Sequence, residues 1–478
     1  MKKLIISLLI FSCVATLCPP LLVAFDRDFG EGDDGKEEKI VTAPQRVADE
    51  WSPKSPSVLR LGLEDCLKRA FTYNGQLRVF DYQEEVAQEK LNEARRIGKP
   101  VIEYEYNIAP VPRNVDNAVE DFFTGDVTIF NRFKLGVGAP LSTFGKLSLA
   151  QSMAREGIAA ESINREKKRV EIASTVRQLY YGILLADEIR HLLKGAHKEV
   201  EKEIRKREEK GGTDPLQLLK LKIFLSEVDS RIEESDQKSV LAKEALRMQL
   251  GIDRSIRFDI KGDKLRPVSK RLEDFQIYST EAVENRPDLK LLDIGHSVKK
   301  KQYYLEKKNR YPDLGVGAFF ELGHAPYMTG VTVTDDFLSP FNFKRAGIGF
   351  RLKGTFDFAG STSKIKQARS EVYKIEIQRE LAEEGIILEV KKVYLDVKKA
   401  KSDIERTEQA QKLSRQLLFL TQSNFDIGLA DPKDLVDAIS SFLKTRGEYF
   451  KAVFDYNVAM ATLDEKLGRI PELAPEKE

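Results

Sequence analysis

Two periodicities alternate along the chain, and the whole alternation occurs twice. From Leu63 to Ile97 apolar positions return at helical spacing until Pro100 stops them. The period then drops to two. In Ile102-Glu103-Tyr104-Glu105-Tyr106-Asn107-Ile108 and again in Phe133-Lys134-Leu135-Gly136-Val137-Gly138-Ala139, apolar residues alternate with charge, amide or glycine. No proline follows between Pro140 and Pro215, and good helix formers fill residues 147–209. A turn and another helix, Asp214 to Leu250, complete the first pass. The second pass reads helix over Glu281–Arg310, strands at Leu314–Ala318 and Ile348–Lys353, a proline-free run from Ser361 to Gly428, and a helix over Pro432–Leu467. At ~1.5 Å per residue each long run reaches roughly 95–100 Å, too long for a globule and suited to a coiled-coil-like rod.

The two passes are copies. Gly211-Gly212-Thr213-Asp214-Pro215 through Leu250-Gly251 matches Gly428-Leu429-Ala430-Asp431-Pro432 through Leu467-Gly468 at a constant offset of 217. Upstream, Leu77 and Pro100 correspond to Leu289 and Pro312 at an offset of 212. In each copy the two short helices together are about as long as the long one, which is the arithmetic of a rod of constant thickness. The expected organisation is a signal peptide (1–24), an N-terminal extended segment (25–60), a first repeat (61–251), an equatorial linker (252–279), a second repeat (280–468) and a short tail (469–478).

The strands carry one apolar, often aromatic face and one charged or glycine face. A soluble hairpin pair would show this, and so would a transmembrane barrel with its apolar face on lipid. Four strands cannot close a barrel, and open edges in hydrocarbon leave unpaired backbone groups costing several kcal/mol each. A membrane reading therefore requires oligomerisation: two copies would supply eight strands, three would supply twelve. Residues 110–130 and 322–345 are the expected external loops.

Composition sharpens this picture only at the N-terminus. Lys2 and Lys3 precede apolar runs Leu4–Phe11 and Val14–Ala24, a secretory signal with a plausible cleavage after Ala24. Pro19-Pro20 interrupts it short of the ~20 apolar residues of a membrane span. Cys13 and Cys18 fall inside this segment in poor lipidation contexts, so Cys66 alone remains and no internal disulfide is expected. Elsewhere 78 basic residues nearly cancel 76 acidic ones, for a net charge of +2, which does not suit a nucleic-acid binder.

The duplicated pattern, Arg286-Pro287-Asp288-Leu289 at the entry to the second half, and Ile427-Gly428-Leu429 before an Asp-containing helix resemble the TolC family of outer-membrane efflux channels over residues 58–470. The resemblance implies a mainly α fold with a transmembrane β-barrel: a homotrimer whose long helices form an α-barrel and whose four strands per protomer join in outer-membrane lipid. It implies a location in the outer membrane of a Gram-negative-type bacterium, extending into the periplasm. It also implies partners, a periplasmic adaptor (membrane fusion protein) and an inner-membrane transporter of RND, ABC or MFS type, in a tripartite efflux or type I secretion system. Asp434 and Asp437 fall where the family places the carboxylates of its periplasmic gate. Asp434 also suits a helix N-terminus on dipole grounds alone, behind Asp431 and Pro432. Ile427, Gly428 and Leu429, with Gly211 and Gly212 of the other copy, are the expected adaptor-docking tip; glycine helix endings would explain the glycines equally. Glu103, Glu105, Lys134, Glu321, Arg351 and Lys353 are the expected barrel-lumen residues. A tyrosine, an aspartate and a basic residue that lock the tip in some members are here Phe425, Gln217 and Ala430, so locks of that kind are not expected.

No catalytic, metal or cofactor constellation stands out, so neither enzyme activity nor a bound cofactor is expected. His191, His197, His296 and His324 are dispersed, and Gly145-Lys146 lacks the first glycine of a phosphate loop. The alternative to a channel is a periplasmic or secreted coiled-coil scaffold, which accounts for the helices but not for the amphipathic strands and signal together.

Overall fold

The computed structural model describes residues 58–471, apart from 115, 211–214, 263, 330–338, 356 and 428. The expected signal peptide, nearly all of the expected N-terminal extended segment and most of the expected C-terminal tail lie outside the described residues. So do Gly211, Gly212 and Gly428.

In chain order the elements are β1 (Leu59–Leu61), α1 (Leu63–Tyr73), α2 (Gly75–Arg96), β2 (Val101–Pro112), α3 (Ala118–Thr124), β3 (Val127–Ser142), α4 (Lys146–Lys210) and α5 (Pro215–Leu250). There follow β4 (Phe258–Ile260), α6 (Phe275–Asn285), α7 (Pro287–Lys308), β5 (Asp313–His324), β6 (Phe343–Lys353), α8 (Phe358–Asp426) and α9 (Pro432–Lys466). Elements start in pairs 212 positions apart: 63 and 275, 75 and 287, 101 and 313, 146 and 358. The helices after the tip start at 215 and 432, 217 apart. The long helices hold 65 and 69 residues, about 100 Å each.

The helix expected over 63–97 is two helices. Asn74 adopts extended backbone between α1 and α2 and accepts from the Gln76 N–H at 2.8 Å, capping α2. Its amide donates to the Gln249 carbonyl and side chain at 2.8 and 2.9 Å, tying the break to the far end of α5. In the second copy Arg286-Pro287 makes the same break, with proline at the first helical position. Each short pair packs where the repeat closes on itself. Leu61, Cys66, Leu67, Ala70 and Leu77 meet Ile172, Val176 and Ile183 of α4 and Leu246 and Leu250 of α5. Tyr278, Ala282 and Leu289 meet Val390, Val393 and Val397 of α8 and Leu463 and Leu467 of α9. Each leucine, isoleucine or valine among them removed from water stabilises the junction by about 1.5–3 kcal/mol. Burial, and then Asp65 beside it, push the Cys66 thiol up to about 12. Gly251 and Gly468 end α5 and α9 at φ +61 and +72; a side chain at Gly251 would also collide with the Tyr73 carbonyl.

The equatorial linker adds a pairing that its composition did not suggest: β1 and β4 run parallel, Leu59 to Leu61 against Phe258 to Ile260. The remaining strands form one antiparallel sheet in the order β2-β3-β5-β6. They run further than the alternation alone indicated. β2 continues through Pro110 and Pro112, which an edge strand tolerates because the missing N–H faces no partner. The loop between β2 and β3 holds the short helix α3.

The helices also lie side by side in one layer. Near the strands the packing order is α2-α4-α7-α8; beyond the junctions it is α5-α4-α9-α8. One side of the layer therefore ends in β2, α2 and α5, and the other in β6 and α8. Among the described residues no helix is long and apolar enough to cross a membrane.

Candidate channel face and tip

Strand register divides the sheet into two chemically distinct faces. Ile102, Tyr104 and Tyr106 stand opposite Val137, Leu135 and Phe133, which stand opposite Ala318, Phe320 and Leu322. Ile348 and Phe350 continue this face and are about four-fifths exposed in a single copy. The other face carries Glu105, Lys134, Glu321 and Arg345 in one continuous row, each the register partner of the next. Alternating charge across neighbouring strands is favourable, at roughly 0.2–1 kcal/mol a pair. Glu103 lies on the same face two residues away, and Arg351 and Lys353 lie on it at the helix end of β6.

Four of the six expected lumen residues are thus solvent-facing in this copy: Glu103, Glu105, Arg351 and Lys353. Lys134 is half-buried. Glu321 is only 8% exposed, and the Arg132 Nε donates to it at 2.6 Å. Arg132 and Arg345 belong to the charged face and were not singled out from sequence, although the period-two parity of β3 and β6 contains the information.

At the far end of the rod, Leu193, Val200 and Ile204 of α4 and Leu221, Phe224 and Val228 of α5 form an apolar core, with Val436, Ile439 and Leu443 of α9 against it. This core seats the start of α9. Asp431 precedes the helix and its N–H donates to the Asp434 carboxylate at 3.2 Å. Leu435 and Ala438 are buried and Val436 and Ile439 rest on this core, so Asp434 and Asp437, three apart, share the exposed side of the same turn. Ile427 and Leu429 are both strongly exposed in the turn before it, and the Leu429 N–H donates to the Asn424 carbonyl at 2.8 Å. Of the expected docking tip, these two are the residues the structure describes.

A connection not anticipated from sequence lies beside them. Arg207, in the last turn of α4, stacks its guanidinium 4.7 Å from the ring centroid of Phe425, in the last turn of α8. Its Nη1 donates to Gln217 of α5 at 3.3 Å, and its Nε donates to Glu203 at 2.9 Å. One side chain therefore joins the helical hairpin of the first repeat to that of the second through Phe425 and braces its own hairpin through Gln217, the two positions where polar locking partners are missing. Arg207 sits within the run Arg205-Lys206-Arg207, which reads as a solvated face, so nothing local to it marks the contact.

Two histidines face carboxylates across helices, His197 with Asp229 and His296 with Glu376, both at 3.1 Å. Among the described residues no three metal-ligating side chains converge.

Residues 278–469 match the outer membrane efflux protein family. No curated protein matches the chain in sequence. Its fold is that of several solved channels. The Campylobacter jejuni CmeC outer membrane channel superposes with a TM-score of 0.69 at 16% identity, over 90% of this chain and 92% of CmeC. The Vibrio cholerae outer membrane protein VceC gives 0.67 at 16% identity, over 86% and 97%. The open state of the Neisseria gonorrhoeae MtrE outer membrane channel gives 0.68 at 17%, over 90% and 96%. At these identities the likeness is one of fold.

Proposed function

We propose that the chain is an outer membrane efflux protein, a reading supported by the match across its second repeat and by its fold along the described length, and that three copies form the passive exit duct of a tripartite export system. The observation that carries this reading is the single layer with two open edges. Among the described residues β2 and β6 each lack one partner, and apolar stripes run down both helical edges at matching levels. Asp81 pairs with Arg165, Lys167 with Asp288, and Asp293 with Arg379, so positions 81, 165–167, 288–293 and 379 lie level across the layer. Val79, Tyr82 and Val86 are exposed on α2 at that level, and Ile377, Leu381 and Leu388 are exposed on α8. Near the tip, Leu216, Leu219 and Ile223 of α5 face out on one edge and Leu413, Leu417 and Leu420 of α8 on the other. Joining such edges in a ring covers both stripes and pairs β2 with the next copy's β6, which removes every open edge from lipid.

In that ring the apolar strand face meets outer-membrane lipid and the charged face lines water. Asp434 and Asp437 gather at the tip as the periplasmic gate, held shut from within each copy by Arg207 against Phe425. Ile427 and Leu429, with Gly211, Gly212 and Gly428, form the rim that a periplasmic adaptor grips on behalf of an inner-membrane transporter. A coiled-coil scaffold gives no reason for a strand face of exposed isoleucine, tyrosine and phenylalanine.

The test is oligomer mass in detergent together with single-channel recording in a planar bilayer. A trimer forming small, cation-sensitive pores supports the duct. A monomeric species without conductance refutes it.

A further inference from the structure

We propose that the flanks of the β5–β6 connection, residues 325–329 and 339–342, fold inward across the charged face of the sheet and narrow the duct with an aromatic collar at its outward end. The proposal rests on the duct reading, because it concerns what a solute meets inside that channel.

A lone sheet should expose both faces equally. Toward the helices this one does: Glu103 and Arg351 on the charged face are as open as Ile102 and Leu352 on the apolar face. Toward the far end the symmetry breaks. Thr128, Glu321 and Phe343, all of charged-face parity, are buried, Phe343 to 5% exposure. Their neighbours of opposite parity, Ile129, His324 and Lys344, stay exposed. Something must lie over one face only, and the chain itself supplies it, since Ala325, Met328, Ser339 and Asn342 are buried there.

The cover is fastened by hydrogen bonds. The Thr128 hydroxyl donates to the Pro326 carbonyl at 2.6 Å, and the Ala325 N–H donates to the Asn342 side chain at 2.8 Å. The Asn342 N–H donates to the Ser339 hydroxyl at 3.0 Å, and Arg345 donates to the Ser339 carbonyl at 2.9 Å. The rings of Phe130 and Phe341 meet edge to face at 5.5 Å, with Phe343 beside Phe130. Two arginines of the charged face are held at this level: Arg132 pairs with Glu321, and the Arg345 guanidinium lies 4.1 Å from the Phe343 ring centroid. A passing solute therefore meets the partly exposed rings of Phe130 and Phe341. Such a constriction sorts by size.

The test uses the full-length protein inserted from one side of a planar bilayer, with neutral polyethylene glycols of graded size added to the loop side alone. Wild type, Phe341→Ala and Phe341→Trp are compared after each is shown to keep the wild-type oligomer mass. The collar predicts that Phe341→Ala admits larger polymers from the loop side, lowering its current, and that Phe341→Trp admits only smaller ones. The cut-off from the opposite side stays the same in all three. An identical loop-side cut-off in all three channels overturns the collar and leaves the duct standing. Absence of any conductance from the wild-type protein overturns the duct, and the collar with it.

Discussion

Replacing Arg207 by alanine should loosen the tip without unfolding the rod. Among the described residues, the contact between the two hairpins that leaves with the guanidinium is its stack on Phe425. The ring of Phe425 is 8% exposed, so the stacked cation is largely desolvated and contributes about 1–2 kcal/mol. The bond to Gln217, at 3.3 Å, joins α4 to α5 inside the first hairpin and survives when the hairpins part, so it does not enter the difference. The pair with Glu203 lies within α4 and does not join the hairpins, so it drops out of the difference. The closed tip should therefore lose about 1–2 kcal/mol per copy, and each 1.4 kcal/mol is tenfold in an equilibrium. If three copies open together, even the lower figure moves the open population by about two orders of magnitude. Single-channel recording should show larger or longer openings for Arg207→Ala, with thermal unfolding of the rod near that of wild type. Phe425→Leu keeps the burial and removes the ring face, so it should have much of the same effect, and the double variant should add little. Wild-type currents in Arg207→Ala, or full additivity in the double variant, would refute the reasoning.

Three further outcomes are expected. Asp434→Ala with Asp437→Ala should enlarge conductance and weaken block by multivalent cations, because both exposed carboxylates leave the same turn; unchanged currents would remove them from the gate. Leu381→Asp places a charge in the apolar stripe of α8, exposed in a single copy, so size-exclusion chromatography should show monomers with unaltered helix content by circular dichroism. Burial works against the Asp288 carboxylate, but Lys167 at 2.6 Å and Arg286 at 3.0 Å outweigh it and hold its pKa below the ordinary carboxylate value. A lowered folded pKa means stability that is present above about pH 4 and lost as pH falls through the folded value, so melting temperature should drop on going from pH 5 to pH 3 and drop less in Asp288→Asn.

Much of the architecture was open to reading because it is written in local signals. The period-two segments, the proline-free runs and the Leu-Gly endings each bear on their own neighbourhood, and duplication repeats every signal once. What stayed hidden depends on groups brought together from afar. The break at Asn74 has no proline beside it and becomes intelligible only with Gln249 at the end of α5. β1 and β4 are three residues long and lie almost two hundred positions apart. The placement of Glu321 is of the same kind, since parity assigns its face but not the chain that lies over it. Arg207 is the clearest case. Its position says that it is a surface cation on a helix, and its partner Phe425 belongs to the end of another repeat.

The unpaired edges of β2 and β6 also bear on how such a protein reaches its membrane. A single copy presents two strands of about a dozen residues whose outward N–H and C=O groups have no partner, and each such group resists transfer into hydrocarbon by several kcal/mol. Insertion one copy at a time is therefore blocked energetically, and strand entry must accompany or follow association. The helical hairpins, whose contacts are mostly local, can fold in water first and bring the sheets together. Assembly would then show steep dependence on concentration, and a copy left alone would carry two aggregation-prone borders until it found its neighbours.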